Sequence, residues 1–340
     1  VRGKHKNYTA EQVAAALESA GTLRGAARLL GCAPNNVQQW LDSGKLDADE
    51  VPDRELDAET LLARKAQKFE RIQAHEEAAA LRVVRVRESL PIGILHFGDP
   101  HLDDDGSNTG LLERHVALVQ ETEGLYGATV GDMTNNWTGR LGRLYSNQST
   151  TAREAWILVE WLMHAVPWLY VIGGNHDVWS GAGDPLTWLV QSATFGYTPH
   201  GCRIALRFPA GREVRVNARH DFRGHSMWNP AHGVARAAQM GWRDHLLMAG
   251  HKHVSGYNVL RHPDAATGIG GGLVSHCVRV ATYKVYDDYA TAQGLPNQSL
   301  GPCCVTIINP QATDELNLVH VFWEPFEAAE YLTWLRKKAA

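Results

Sequence analysis

"ILHFGDPHLDDDG", residues 94–106, decides how the rest of the chain is read. An apolar run reads as a strand and breaks at Gly98. Asp99, Pro100 and His101 follow, and then three more acids, Asp103, Asp104 and Asp105. Crowded carboxylates repel one another, so a strand that ends this way asks what cation answers the charge.

Four later runs end in the same manner. "GLYGATVGDMTNN" leads to Asp132, and "AVPWLYVIGGNHD" leads to Asn175 and His176. "REVRVNARHD" alternates through Val214 and Val216 and leads to His220, and "DHLLMAGHKH" leads to His251 and His253. Between the first three runs lie "TGLLERHVALVQETE" and "TAREAWILVEWLMHA", both apolar at helical spacing. Strand and helix in alternation read as an α/β fold. Ligand sites in such sheets form beyond the carboxyl ends of the strands. Five strand ends would then deliver two Asp, one Asn and five His to one region. Carboxylate and amide oxygens with imidazoles suit Zn, Fe or Mn. Each residue alone has a plainer reading, as a turn former, a helix cap or a satisfied histidine. The ordered conjunction carries the metal reading.

"GDPH", "GDMTN", "GNHD", a His after a strand and "GHKH" together resemble the calcineurin-like metallophosphoesterases, on the side of their nuclease-like branch. The resemblance covers about residues 91–256. It implies a two-sheet sandwich flanked by helices, with a binuclear metal centre. By motif, Asp99 and His101 would bind the first metal and Asp132 would bridge. Asn175, His220 and His251 would bind the second metal, and His253 would return to the first. His176 would stand beside the metals as a leaving-group acid or transition-state stabiliser. His225 and His232 compete with His220, which is preferred because it directly follows its strand. The second block lacks the "GD-x-x-D-R-G" pattern of the protein Ser/Thr phosphatases, which argues against a phosphoprotein substrate. Asp103, Asp104 and Asp105 fall outside the shared motif and read as a solvated loop and helix cap, with a rim role in metal capture as the alternative.

The chemistry accounts for the set. Phosphodiesters are anionic and repel hydroxide. Two metals about 3.5–4 Å apart neutralise that charge and turn a bridging water into a hydroxide nucleophile. Imidazoles fill the metal shells without adding negative charge. A histidine such as His176 has the proton affinity to serve a leaving alkoxide. The expected cofactor is two divalent ions, manganese first, with Zn, Fe, Ni or Mg as alternatives.

Upstream, residues 1–45 read as a helix-turn-helix module. Thr9 and Gln12 form a capping box that Tyr8 could staple onto Val13, Gly31 ends a second helix, and Pro34 opens a third. Asn35, Asn36, Gln38 and Gln39 could meet base edges, since Asn and Gln bond adenine; a plain three-helix bundle for protein contacts is the alternative. Residues 46–90 read as an acidic linker and one long helix, which could pair with a second copy over residues 57–85, and residues 91–340 as the phosphoesterase domain.

Downstream, "GIGGG" reads as a turn, and Arg279, Tyr283 and Lys284 as either backbone contacts to nucleic acid or core. "CVTIINP" and "LNLVHVFWEP" read as late strands and "EAAEYLTWLRKKAA" as a closing helix.

Bulk properties bound the function. The chain has 340 residues and a net charge of -4, with 33 basic and 37 acidic side chains, so it does not coat nucleic acid by bulk charge. No run is long and apolar enough for a membrane span, and the first residues lack a signal peptide's apolar core. Five cysteines without C-x-x-C spacing fit free thiols in a reducing cytoplasm. The expectation is a metal-dependent phosphodiesterase acting on DNA. The alternatives are a phosphatase or phosphodiesterase for nucleotides and a DNA-binding regulator with a vestigial site.

Overall fold

The computed structural model describes residues 8–43, 55–178, 185–190, 196–268, 271–287, 291, 294 and 299–340. Most of the acidic linker and part of "GIGGG" lie outside these residues. The chain divides into two compact units, residues 1–70 and 71–340.

The first unit contains α1 (Ala10–Ala20), α2 (Leu23–Leu30) and α3 (Pro34–Ser43). Thr9 caps α1 with Gln12 in a reciprocal box, and Gly21 and Gly31 end α1 and α2 in left-handed backbone. Val13, Ala26, Ala27 and Val37 form a small core, with Tyr8 set edge-on to Trp40 at 5.6 Å. Helix α4 (Ala58–Ala79) follows and buries none of its residues. The long helix expected to reach Val86 ends at Ala79. "RVVR" forms strand β1 (Arg82–Arg85) instead, because β-branched Val83 and Val84 find a sheet edge to pair with.

The second unit is a sandwich of two six-stranded mixed sheets. In chain order its elements are β2 (Ile92–Phe97), α5 (Thr109–Glu121), β3 (Leu125–Thr129), α6 (Ala152–Ala165), β4 (Trp168–Gly173) and α7 (Leu186–Leu189). Then come β5 (Tyr197–Pro199), β6 (Gly201–Arg207), β7 (Glu213–Arg219), α8 (His232–Met240), β8 (Leu246–Ala249) and β9 (Gly256–Arg261). The chain closes with β10 (Val274–Arg279), β11 (Cys303–Ile308), β12 (Val319–Phe322) and helix α9 (Pro325–Ala339).

One sheet runs β12-β11-β2-β3-β4-β5 and the other β1-β6-β7-β8-β10-β9. Strands β2, β3 and β4 are parallel neighbours, as are β7 and β8. Their carboxyl ends therefore open toward the loops that carry the five motifs. Ile92, Ile94, Val130 and Ile172 of one sheet pack against Val214, Val216, Leu246 and Val278 of the other. Helices α5, α6 and α9 cover the outer face of the first sheet, and α8 covers that of the second. Burying both faces explains why β2, β4 and β11 read as continuous apolar runs rather than alternating ones. No helix among the described residues is long and apolar enough to cross a membrane. All five cysteines are free thiols.

Candidate metal centre

The five strand ends converge. Asp99, His101 and His253 offer ligand atoms that lie within 4.8 Å of one another, and Asp132, His220 and His251 do the same. Asn175 joins the second group, with Oδ1 2.9 Å from His220 Nε2. His225 and His232 belong to neither group, so of the three histidines left open by the sequence only His220 reaches these donors.

The backbone is bent to achieve this. His101, Asp132, His251 and His253 all have positive φ, at 41°, 54°, 72° and 52°. Left-handed backbone is costly for residues with a side chain and clusters at functional sites. The preceding glycines permit close approach. A Cβ at Gly174 would collide with Asp132 Oδ1, and one at Gly250 with Asp99 Oδ1.

Hydrogen bonds then lock the loops. His101 N donates to the Asp132 carbonyl at 3.1 Å, and His251 N donates to Asp99 Oδ2 at 2.7 Å. Asp177, fully buried, accepts from the backbone N–H groups of Asp132, Gly174 and Met133 at 2.7, 2.7 and 3.0 Å. Its carboxylate thus joins the β3 loop to the β4 loop. Asp177 closes "GNHD" but is no candidate ligand by motif, and its place directly after two site residues is the one sequence signal for this role.

The donor atoms need a positive charge among them, either a second proton on His220 or a metal ion. His220 Nδ1 lies 2.8 Å from the Val130 carbonyl, which can only accept, so that nitrogen carries the proton. In the neutral ring Nε2 then presents a lone pair. It faces Asn175 Oδ1, His251 Nδ1 at 3.0 Å and Asp132 Oδ2 at 3.2 Å. Asp99 Oδ1 and His101 Nδ1 are buried with no hydrogen-bond partner. Electron-rich atoms converging in a buried place call for a cation.

Protonation tells the same story. Burial holds His101 well below the ordinary imidazole range and takes His253 down to about 4, so both rings are neutral. Burial, and then the neighbouring His220, lowers His251. Burial opposes charge on His220 as well, but Asp132, with Asp99 behind it, lifts that ring to about 10. Burial would raise Asp132, yet the hydrogen bond and charge of His220 hold it well below the usual carboxylate range. The carboxylates therefore demand positive charge at this spot, which a proton or a divalent ion can supply. Two carboxylates, an amide oxygen and four imidazoles fit divalent ions of the Mn, Fe and Zn type.

His176 stands beside both groups. Its backbone N–H donates to Asp132 Oδ1 at 2.9 Å, and its Nδ1 is 2.5 Å from the Asn135 carbonyl, which fixes the ring. The ring lies edge-on to His101 at 5.3 Å and to Trp137 at 5.5 Å.

Of the three acids read as a solvated loop, only Asp105 is exposed. Asp103 is buried and accepts from Asn135 N at 2.7 Å, Asp104 binds Lys284 Nζ at 2.9 Å, and Asp105 accepts from Ser149 N at 2.9 Å. They clip the loop after β3, and with it Asn135 under His176. Arg279 and Tyr283 are buried and Lys284 is nearly so, which takes all three out of contact with a nucleic acid. Arg279 instead holds the Gly250 and Pro230 carbonyls and pairs with Asp221 at 2.7 Å.

In the first unit, considered alone, Asn35, Gln38 and Gln39 are exposed on α3 and Asn36 is half-buried. Gln38 Nε2 donates to Asp42 Oδ1 at 3.0 Å.

No protein-family model and no curated protein matches the chain. Among solved structures, the chain is similar to the NAD nucleotidase (NadN) of Haemophilus influenzae, at 9% identity over 68% of this chain, with a TM-score of 0.34. The match spans 49% of that structure, about half its length.

Proposed function

We propose that the protein is a metal-dependent phosphoesterase. The observation that carries this reading is the pair of Asp/His groups, Asp99–His101–His253 and Asp132–His220–His251, brought side by side, with Asp99 Oδ1 buried and unpartnered. Two divalent ions held there would neutralise a phosphate's charge and acidify a water near neutral pH. Asp132, with Oδ2 3.2 Å from His220 Nε2 and Oδ1 accepting from the His176 N–H, would be the carboxylate shared between the two ions. His176, oriented by the Asn135 carbonyl, would hold the proton that the leaving oxygen takes up. The complete donor set counts against a vestigial site.

DNA is the proposed substrate, on the strength of the polar residues Asn35, Gln38 and Gln39 exposed on a short helix after a tight turn. A panel of Mn, Mg, Zn and Ni with single-stranded DNA, duplex DNA and a chromogenic phosphodiester tests both layers. Asp132→Ala and His176→Ala should lose activity on every substrate. Full cleavage by Asp132→Ala would sink the two-metal reading. Turnover of the chromogen without DNA cleavage would replace DNA by a small phosphate ester and leave the metal reading intact.

A further inference from the structure

A cleft lies on the outer face of the second sheet, beside the end of β7. Along β7, Val214, Val216 and Ala218 point into the core between the sheets, so Arg219 points to the opposite face. There the cleft, of about 340 Å³, opens between the end of β7 and the end of α8, lined by Arg219, Arg223, Arg236, Phe222, Met240 and Trp242, with Asp221 at its side. That volume is at the small end of the roughly 300–1,000 Å³ range of small-molecule pockets.

The charge in this cleft is one-sided. Its single carboxylate, Asp221, is already held by Arg279 at 2.7 Å and lies 3.9 Å from Lys252. Among the described residues no acid pairs with Arg219, Arg223 or Arg236. Arg219 is positioned before any ligand arrives. Its guanidinium stacks over Trp242 at 5.2 Å and Phe222 at 5.8 Å. Trp242 is itself steadied by Arg203, which is tied to Asp244 through two bonds of 2.8 Å. Yet Arg219 Nε is buried with no hydrogen-bond acceptor. An orphaned buried donor is costly, and an incoming oxyanion would satisfy it.

We infer that this cleft binds a phosphomonoester of mononucleotide size or smaller. The phosphoryl oxygens take the guanidiniums of Arg219, Arg223 and Arg236. The rest of the ligand lies along the exposed side chain of Met240 and the exposed edge of Trp242. Binding here needs none of the metal-centre residues, so it stands apart from the proposed catalysis.

Equilibrium dialysis of AMP against the full-length chain, with and without EDTA, tests the assignment. One AMP per chain should remain bound in EDTA. Arg223→Gln and Arg236→Gln should each weaken it at least about tenfold, the value of one charge-assisted contact. Both side chains are exposed, and unchanged melting temperatures would show that the variants fold. Inorganic phosphate should bind more weakly than AMP. Loss of all binding in EDTA, or wild-type affinity in both variants, overturns the site. Equal affinity for phosphate and AMP overturns the contact with Met240 and Trp242.

Discussion

His101 and His253 face each other Nε2 to Nε2 at 3.1 Å, with Asp99 Oδ2 3.5 Å from the His253 nitrogen. Burial keeps both rings neutral near pH 7. Two neutral imidazoles so placed share one proton awkwardly or share one cation well. His253→Ala should therefore weaken the first of two metal sites by at least about tenfold while leaving the second measurable. Isothermal titration with Mn or Zn reads this directly; an unchanged two-site isotherm would remove His253 from the ligands.

Metal should also stabilise the fold. Ions at about 100 times Kd contribute ~2.7 kcal/mol to the native state. For a unit of this size that raises Tm by roughly 5–10 °C. The rise should disappear in EDTA and in Asp132→Ala. A thermal melt that ignores both changes contradicts the metal centre.

Asp177→Ala should destabilise the second unit without touching any proposed ligand. It leaves the N–H groups of Asp132, Met133 and Gly174 buried and unpaired. The cost should be about 3 kcal/mol or more, measured by denaturant unfolding. Metal affinity should fall with it, because the β3 and β4 loops lose their shared clip. A variant as stable as wild type would make Asp177 incidental.

Acid should unfold the second unit early. Burial takes His96 down to about 3 and His115, His245 and His276 down to about 4. The unfolded chain protonates these rings near 6.5 and the folded chain does not. The unfolded state thus binds more protons between about pH 4 and 6.5, and stability falls as pH drops through that window. Their contribution is fully present above 6.5 and lost toward 3–4. Each ring costs about 1–2 kcal/mol at pH 5. His96→Asn, placed between Tyr170 and Thr306, should flatten part of this slope in urea unfolding at pH 5 and 7.5. An unchanged slope would reassign the acid lability elsewhere.

Much of the sandwich was legible because its central strands carry their chemistry locally. An apolar run stopping at Gly98, Gly131 or Gly250 announces both a strand and a loop, and β2, β3, β4, β7 and β8 fall where those runs lie. Strands β5, β6, β9 and β10 were harder. β6 and β9 are only partly buried, and β10 sits beyond a glycine-rich stretch. β1 was hidden by the helix that precedes it, since helical spacing ran unbroken into "RVVR".

The linear chain was enough to name the candidate donors, Asp99, His101, Asp132, Asn175, His220, His251 and His253, because each closes a recognisable motif. Tertiary structure alone decided what surrounds them. The acids Asp103, Asp104 and Asp105 became clips because Asn135, Ser149 and Lys284 come to them from distant loops. Arg279 became an internal brace because Gly250, Pro230 and Asp221 close around it. Arg219, Arg223 and Arg236 gained a shared cleft only when α8 packed over β8, β9 and β10, beside the end of β7. The physical reason is common to all three. A strand end is written in neighbouring residues, whereas the partner that buries or neutralises a charge is set by packing between segments far apart in the chain.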